Sequence, residues 1–79
     1  MRLDKYLKIS RLIKRRTVAN EACDNQRVSV NGRPARASYD VKVGDIVEVK
    51  FGTRTLKIEV LGVEEHAAKK DAAAMYKEI

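Results

Sequence analysis

At 79 residues, with seventeen Lys and Arg against eleven Asp and Glu, the chain carries a formal charge of +6 and has room for one small domain. A domain of this size buries only about 60% of its unfolded surface, so the core must be small and aliphatic, with no space for a deep catalytic cleft. A single cysteine, Cys23, rules out an internal disulfide, and with one histidine, His66, it argues against a metal centre within the chain.

The charge sits at the front: positions 1–27 hold eight basic and three acidic residues, positions 28–50 four and three, and positions 51–79 five and five. Seven of the first sixteen residues are cationic (Arg2, Lys5, Lys8, Arg11, Lys14, Arg15 and Arg16), opposed only by Asp4. Residues 3–13 read as a helix, since steps of about 100° put Leu3, Tyr6, Leu7 and Ile13 on one face and Lys5, Lys8, Arg11 and Arg15 on the other. A merely solvated face gains from alternating signs three and four residues apart, whereas this one accepts self-repulsion and so points to a polyanion, with nucleic acid as the leading partner class. A membrane surface fits less well, because the helix has no broad Trp/Phe/Leu wedge and needs its apolar face for the core. No apolar run approaches the roughly 18 residues of a transmembrane helix, and the basic start lacks the apolar stretch of a signal peptide, so a cytoplasmic location is expected.

Thr17 is the expected cap of a second helix reaching about residue 24, with Arg15 and Arg16 at the corner between helices and Cys23 as a small, half-buried helix residue. No glycine comes next, and Asn25 is the residue expected to take the left-handed, helix-ending conformation. Residues 28–30 alternate as a strand, Asn31-Gly32 is a strong turn signal, and Pro34 confines the next segment to an edge. After a turn at Gly44-Asp45, Ile46, Val47, Val49 and Phe51 form a strand, and Gly52-Thr53 separates it from Leu56, Ile58 and Val60. The wet face of that hairpin carries Glu48, Lys50, Lys57 and Glu59, which can pair across strands. Residues 66–76 favour helix by their Ala and Lys content. Tyr6, Tyr39 and Phe51 are expected in or at the edge of the core rather than as base-stacking platforms, and His66 is expected to be exposed. The sequence holds no phosphate-binding glycine loop, no nucleophile-base set and no enclosed carboxylate pair, so neither an enzyme nor a cofactor is expected.

Four blocks in order, RLDKYL, SRLIKRRTVANEAC, RVSVNGRPA and VKVGDIVEV, resemble the RNA-binding domain named after small-subunit ribosomal protein four, also called the alpha-L motif. A stand-alone domain beginning MRLDKYLKISRLIKRR resembles members of that family that act in bacterial ribosome-associated quality control, and their heat-shock relatives. The resemblance implies an α+β fold, with two N-terminal helices packed on a small bent antiparallel sheet. The chain is expected to divide into an RNA-binding alpha-L domain over 1–66 and a helical tail over 67–79. The resemblance also implies a factor that grips ribosomal RNA and peptidyl-tRNA on obstructed large subunits while a partner factor adds C-terminal alanine tails, and a monomer is expected. The family motif carries over onto Arg2, Asp4, Arg11, Lys14, Arg15 and Arg16, with Lys5 and Lys8 supplying mainly field and Arg33 and Arg36 a second phosphate ridge. Asp4 either contacts RNA with these residues, or caps the first helix, or orients a nearby arginine. Alternative readings are heat-shock-type recycling of obstructed subunits, general binding of structured RNA, and an adaptor for an acidic protein.

Overall fold

The computed structural model describes residues 1–63 and 74–79. Among the described residues, two helices, α1 (Leu3–Ile9) and α2 (Arg16–Asp24), precede five strands: β1 (Val28–Val30), β2 (Arg33–Pro34), β3 (Ile46–Phe51), β4 (Arg54–Val60) and β5 (Tyr76–Glu78). The strands form one antiparallel sheet in the order β2-β1-β3-β4-β5. Its inward ladder is aliphatic: Val28 faces Val49, Val30 faces Val47, and Val47 faces Ile58. These side chains pack with Leu3, Tyr6 and Leu7 of α1 and Ala19 and Cys23 of α2, all buried. Each buried Val, Leu or Ile contributes about 1.5–3 kcal/mol relative to exposure, so this contact between helices and sheet carries most of the stability.

The first helix stops short of the expected residue 13. Arg11 turns left-handed (φ 64°), and the Arg11 and Ile13 N–H groups close the end by donating to the carbonyls of Lys8 and Leu7. Ile13 is still buried, but it reaches the core from the loop. The second helix begins one residue before Thr17: Arg15 is the capping position, in extended conformation, and no side chain caps it. At the far end Gln26 is left-handed (φ 60°), while Asn25 stays at φ −90°. The N–H of Gln26 bonds to Cys23 and that of Arg27 to Ala22, the paired closure that needs its left-handed residue one place beyond Asn25.

Asn31 and Gly32 both have positive φ (54° and 84°), as a two-residue hairpin requires, and Pro34 lies on the edge strand. Asn31 also ties its turn to the loop before β3: its Nδ2 donates to Asp45 and its Oδ1 accepts from the Ile46 N–H, while the Tyr39 hydroxyl donates to the same carboxylate. Glu48 and Lys57 are directly opposite, with Nζ and Oε1 3.7 Å apart, whereas Lys50 faces Thr55 and Glu59 faces Ile46. Phe51 is 43% exposed rather than packed in the core, because the strand ends beside the Gly52 turn and leaves the core behind. Most of the expected tail helix, with His66, lies outside the described residues; Tyr76, at its expected end, is not helical but pairs with Val60 as the start of β5. That strand is held by pairing to β4 and by the buried Tyr6 hydroxyl, which donates to the Met75 carbonyl at 2.7 Å.

Candidate nucleic-acid interface

The entry of α1 is stitched to the segment between β2 and β3. The Leu3 and Asp4 N–H groups donate to the carbonyls of Tyr39 and Ala37, and the Val41 N–H donates to the Met1 carbonyl. The first amides of a helix lack intrahelical partners, so these bonds both complete the helix and fix its start. The Lys5 N–H is met by Asp4 Oδ1 at 2.8 Å.

Asp4 is only 1% exposed, and its carboxylate is taken up by neighbouring side chains. It is the hub that holds the cations. Arg2 reaches its two oxygens from Nε (3.1 Å) and Nη2 (3.3 Å), Arg16 Nε lies 3.5 Å from Oδ2, and Asn20 Nδ2 donates to Oδ2 at 3.2 Å. Burial by itself raises the carboxyl pKa, but the hydrogen bonds from Arg2, Asn20 and the Lys5 amide, with the charge of Arg16, outweigh it and hold Asp4 below its ordinary value of 3.8. The carboxylate is therefore ionised at neutral pH. The side chains of Arg2 and Arg16 remain 50% and 48% exposed, so each guanidinium has one edge on Asp4 and the rest facing solvent. Asp4 also answers a local problem. Arg16 is the first residue of α2, where the helix dipole disfavours a cation, and the carboxylate beside it offsets that cost.

Of the other cations in the first sixteen residues, Lys8, Arg11, Lys14 and Arg15 are exposed and Lys5 is half-buried. Arg33 and Arg36 are exposed as well and line a separate groove with Asn31 and Tyr39. Two cationic ridges thus stand on one body: the helix corner, and β2 with its following loop. The sequence reading missed Asn20. Its signal is the four-residue spacing from Arg16, which puts both on the same face of α2, toward Asp4. Cys23 is more deeply buried than expected, and burial, with the nearby charges of Asp4 and Asp24, pushes its thiol up to about 12, leaving it protonated and inert. Among the described residues no group of His, Cys, Asp and Glu could hold a metal ion, and no helix is long and apolar enough to cross a membrane.

The chain has relatives among known proteins in both sequence and fold. Residues 1–47 match the S4 domain family. A protein of Streptococcus pneumoniae named RQC P-site tRNA stabilizing factor is 55% identical over 76 residues, covering 96% of this chain and 86% of the relative. The protein of the same name from Bacillus subtilis is 51% identical, covering 96% of this chain and 88% of the relative. Among solved structures, the trimeric heat shock protein 15 of Vibrio cholerae superposes with a TM-score of 0.91 at 26% identity, over all of this chain and 81% of the other.

Proposed function

The chain belongs to the S4 domain family of RNA-binding domains, and from that premise we propose that it is a non-catalytic cytoplasmic factor of ribosome-associated quality control. In this reading it binds ribosomal RNA and P-site peptidyl-tRNA on obstructed large subunits, acts as a monomer, and supports C-terminal alanine tailing by a partner factor. The observation that carries it is the Asp4-anchored pair Arg2 and Arg16, which presents two guanidinium groups at a fixed spacing. Base edges in the deep groove of an RNA duplex are hard to reach, so a rigid fork of arginines reads phosphate position and helix shape instead. The high identity to the stabilizing factors, against 26% to the heat shock protein, favours P-site stabilisation over heat-shock-type recycling.

The test is quantitative co-sedimentation with matched large subunits that carry or lack peptidyl-tRNA, at physiological salt. Contacts to ribosomal RNA and to tRNA from one rigid domain reinforce each other, so loss of the tRNA should lower affinity on the order of tenfold or more. Arg16→Ala should weaken binding more than Lys57→Ala, since Lys57 lies on the hairpin and pairs with Glu48. Equal binding to both subunit forms leaves a general binder of structured RNA.

A further inference from the structure

Beside the arginine surface lies a second feature of different chemistry, a groove of about 480 Å³ between the α1–α2 loop and the β3–β4 turn. Its floor is apolar: Leu12, Val18, Ala22 and Phe51 line it, with Val18 48% and Phe51 43% exposed. Its rim is cationic, with Lys14, Arg27 and Lys50, and among the described residues no carboxylate lines it. None of these three forms an ion pair among the described residues. The rim is held in place by the Lys50 N–H, which donates to the Arg27 carbonyl at 2.9 Å, and Phe51 is set at the turn by pairing with Arg54.

We propose that this groove holds one unpaired nucleotide of the bound RNA, its base against Phe51 and Val18 and its phosphates on Lys14, Arg27 and Lys50. The inference rests on the RNA-binding reading and adds a ligand subsite to it. A paired duplex offers phosphates and sugars but no free base face, so the arginine ridges suffice for it and the apolar floor does not serve it. An unpaired nucleotide offers a flat π-face and an anion in one unit, matching the floor and rim together. Phe51 is the aromatic suited to this: Tyr6 is buried with its hydroxyl bonded to Met75, and the Tyr39 hydroxyl is bonded to Asp45. Lys14 is common to the groove and to the cationic corner next to Arg15 and Arg16, so the occupant that adds no second polyanion at this corner is a continuation of the same RNA strand.

The experiment compares two RNA duplexes of the same sequence, one blunt and one bearing a short single-stranded extension, by fluorescence anisotropy with the full chain. Base-aromatic stacking of about 1 kcal/mol corresponds to a gain of about fivefold for the extended duplex. Phe51→Ala should abolish that gain and leave blunt-duplex binding unchanged, and Phe51→Tyr should restore it. Phe51→Leu, which keeps apolar bulk without the ring face, should retain only part of it, and circular dichroism confirms that each variant is folded. A 5-iodouridine in the extension should cross-link to Phe51. The proposal is overturned by equal binding of the two duplexes, by an equal loss on both in Phe51→Ala, or by Phe51-dependent capture of an acidic Phe-containing peptide in place of the extension. Blunt-duplex binding that still responds to Arg16→Ala would then leave the RNA reading standing; no binding of either duplex would remove both.

Discussion

Replacing Asp4 by Asn separates positioning from charge, because the two make opposite predictions. The substitution keeps the shape of the side chain and raises the net charge from +6 to +7, so an account based on charge alone expects tighter RNA binding. The structure leads to the reverse. Asp4 accepts from Arg2 twice, from Asn20 and from the Lys5 amide, and lies 3.5 Å from Arg16 Nε. An amide offers one acceptor oxygen and no charge, so both guanidinium groups regain rotamer freedom. Re-immobilising each on RNA costs about 0.5–1.5 kcal/mol, or about 1–3 kcal/mol for the pair, which weakens binding by roughly 5- to 150-fold. Stability falls too, but the half-exposed arginines are screened by water, so the loss is about 1–2 kcal/mol rather than the larger cost of breaking a fully buried pair. Because the folded-state pKa lies below the unfolded value, the stabilisation from Asp4 is fully present above about pH 4 and is lost as pH falls through the folded-state value. The Asn variant should lack that component of the acid transition. Anisotropy titrations with ribosomal RNA at low temperature, alongside thermal melts at pH 7 and pH 3, measure both effects. A folded Asp4→Asn protein that binds as well as or better than the parent refutes the positioning role.

Salt titration of RNA binding should give a log-affinity slope of about −4 to −5 if four to six cations neutralise duplex phosphates, and a flat response would remove the electrostatic account. Gln26→Gly should stabilise the fold by about 0.5–1 kcal/mol, since relief of the left-handed conformation exceeds glycine's extra entropy cost. The matched Asn25→Gly should destabilise it, and melting curves in which the two variants behave alike would contradict the assigned helix end.

Local signals reached far into this fold. The Asn31-Gly32 turn, the edge position of Pro34, the aliphatic alternation of β1 and β3, and the Glu48–Lys57 pair all come from nearest-neighbour chemistry, and all stand in the structure. The misses share a different origin. Tyr76–Glu78 is a strand because β4 offers it a partner sixteen or more positions earlier in the chain, and propensity in an Ala-rich tract carries no information about that partner. The early stop of α1 at a left-handed Arg11 is enforced by closing bonds back to Leu7 and Lys8, against the side chain's own preference. Asp4 was legible as the lone acid in a basic stretch, and orienting an arginine was one role that position suggested. Its burial depends on Arg16 and Asn20, which reach it from the second helix. Phe51 was misplaced because alternation assigns a face to a strand residue but does not say where the core ends.

The arrangement around α1 explains how so small a domain can hold cations rigidly. Long basic side chains carry about 2 kcal/mol of rotamer entropy each, and a surface built from free lysines and arginines loses that on every contact. Here two of the arginines are ordered in advance by a buried carboxylate. That carboxylate is fixed because its own amide, and that of Leu3, are bonded to the segment running from β2 to β3. The same segment begins beside Arg36 and ends at the Asp45 clasp, where Asn31 and Tyr39 lock the turn that carries Arg33. The two cationic ridges therefore share one hydrogen-bonded frame rather than meeting across a hinge. A ligand touching both meets them at fixed separation, so the second contact forms at high effective concentration once the first is made. A loose array of the same charge would attract RNA equally from a distance, but it would not distinguish one arrangement of phosphates from another.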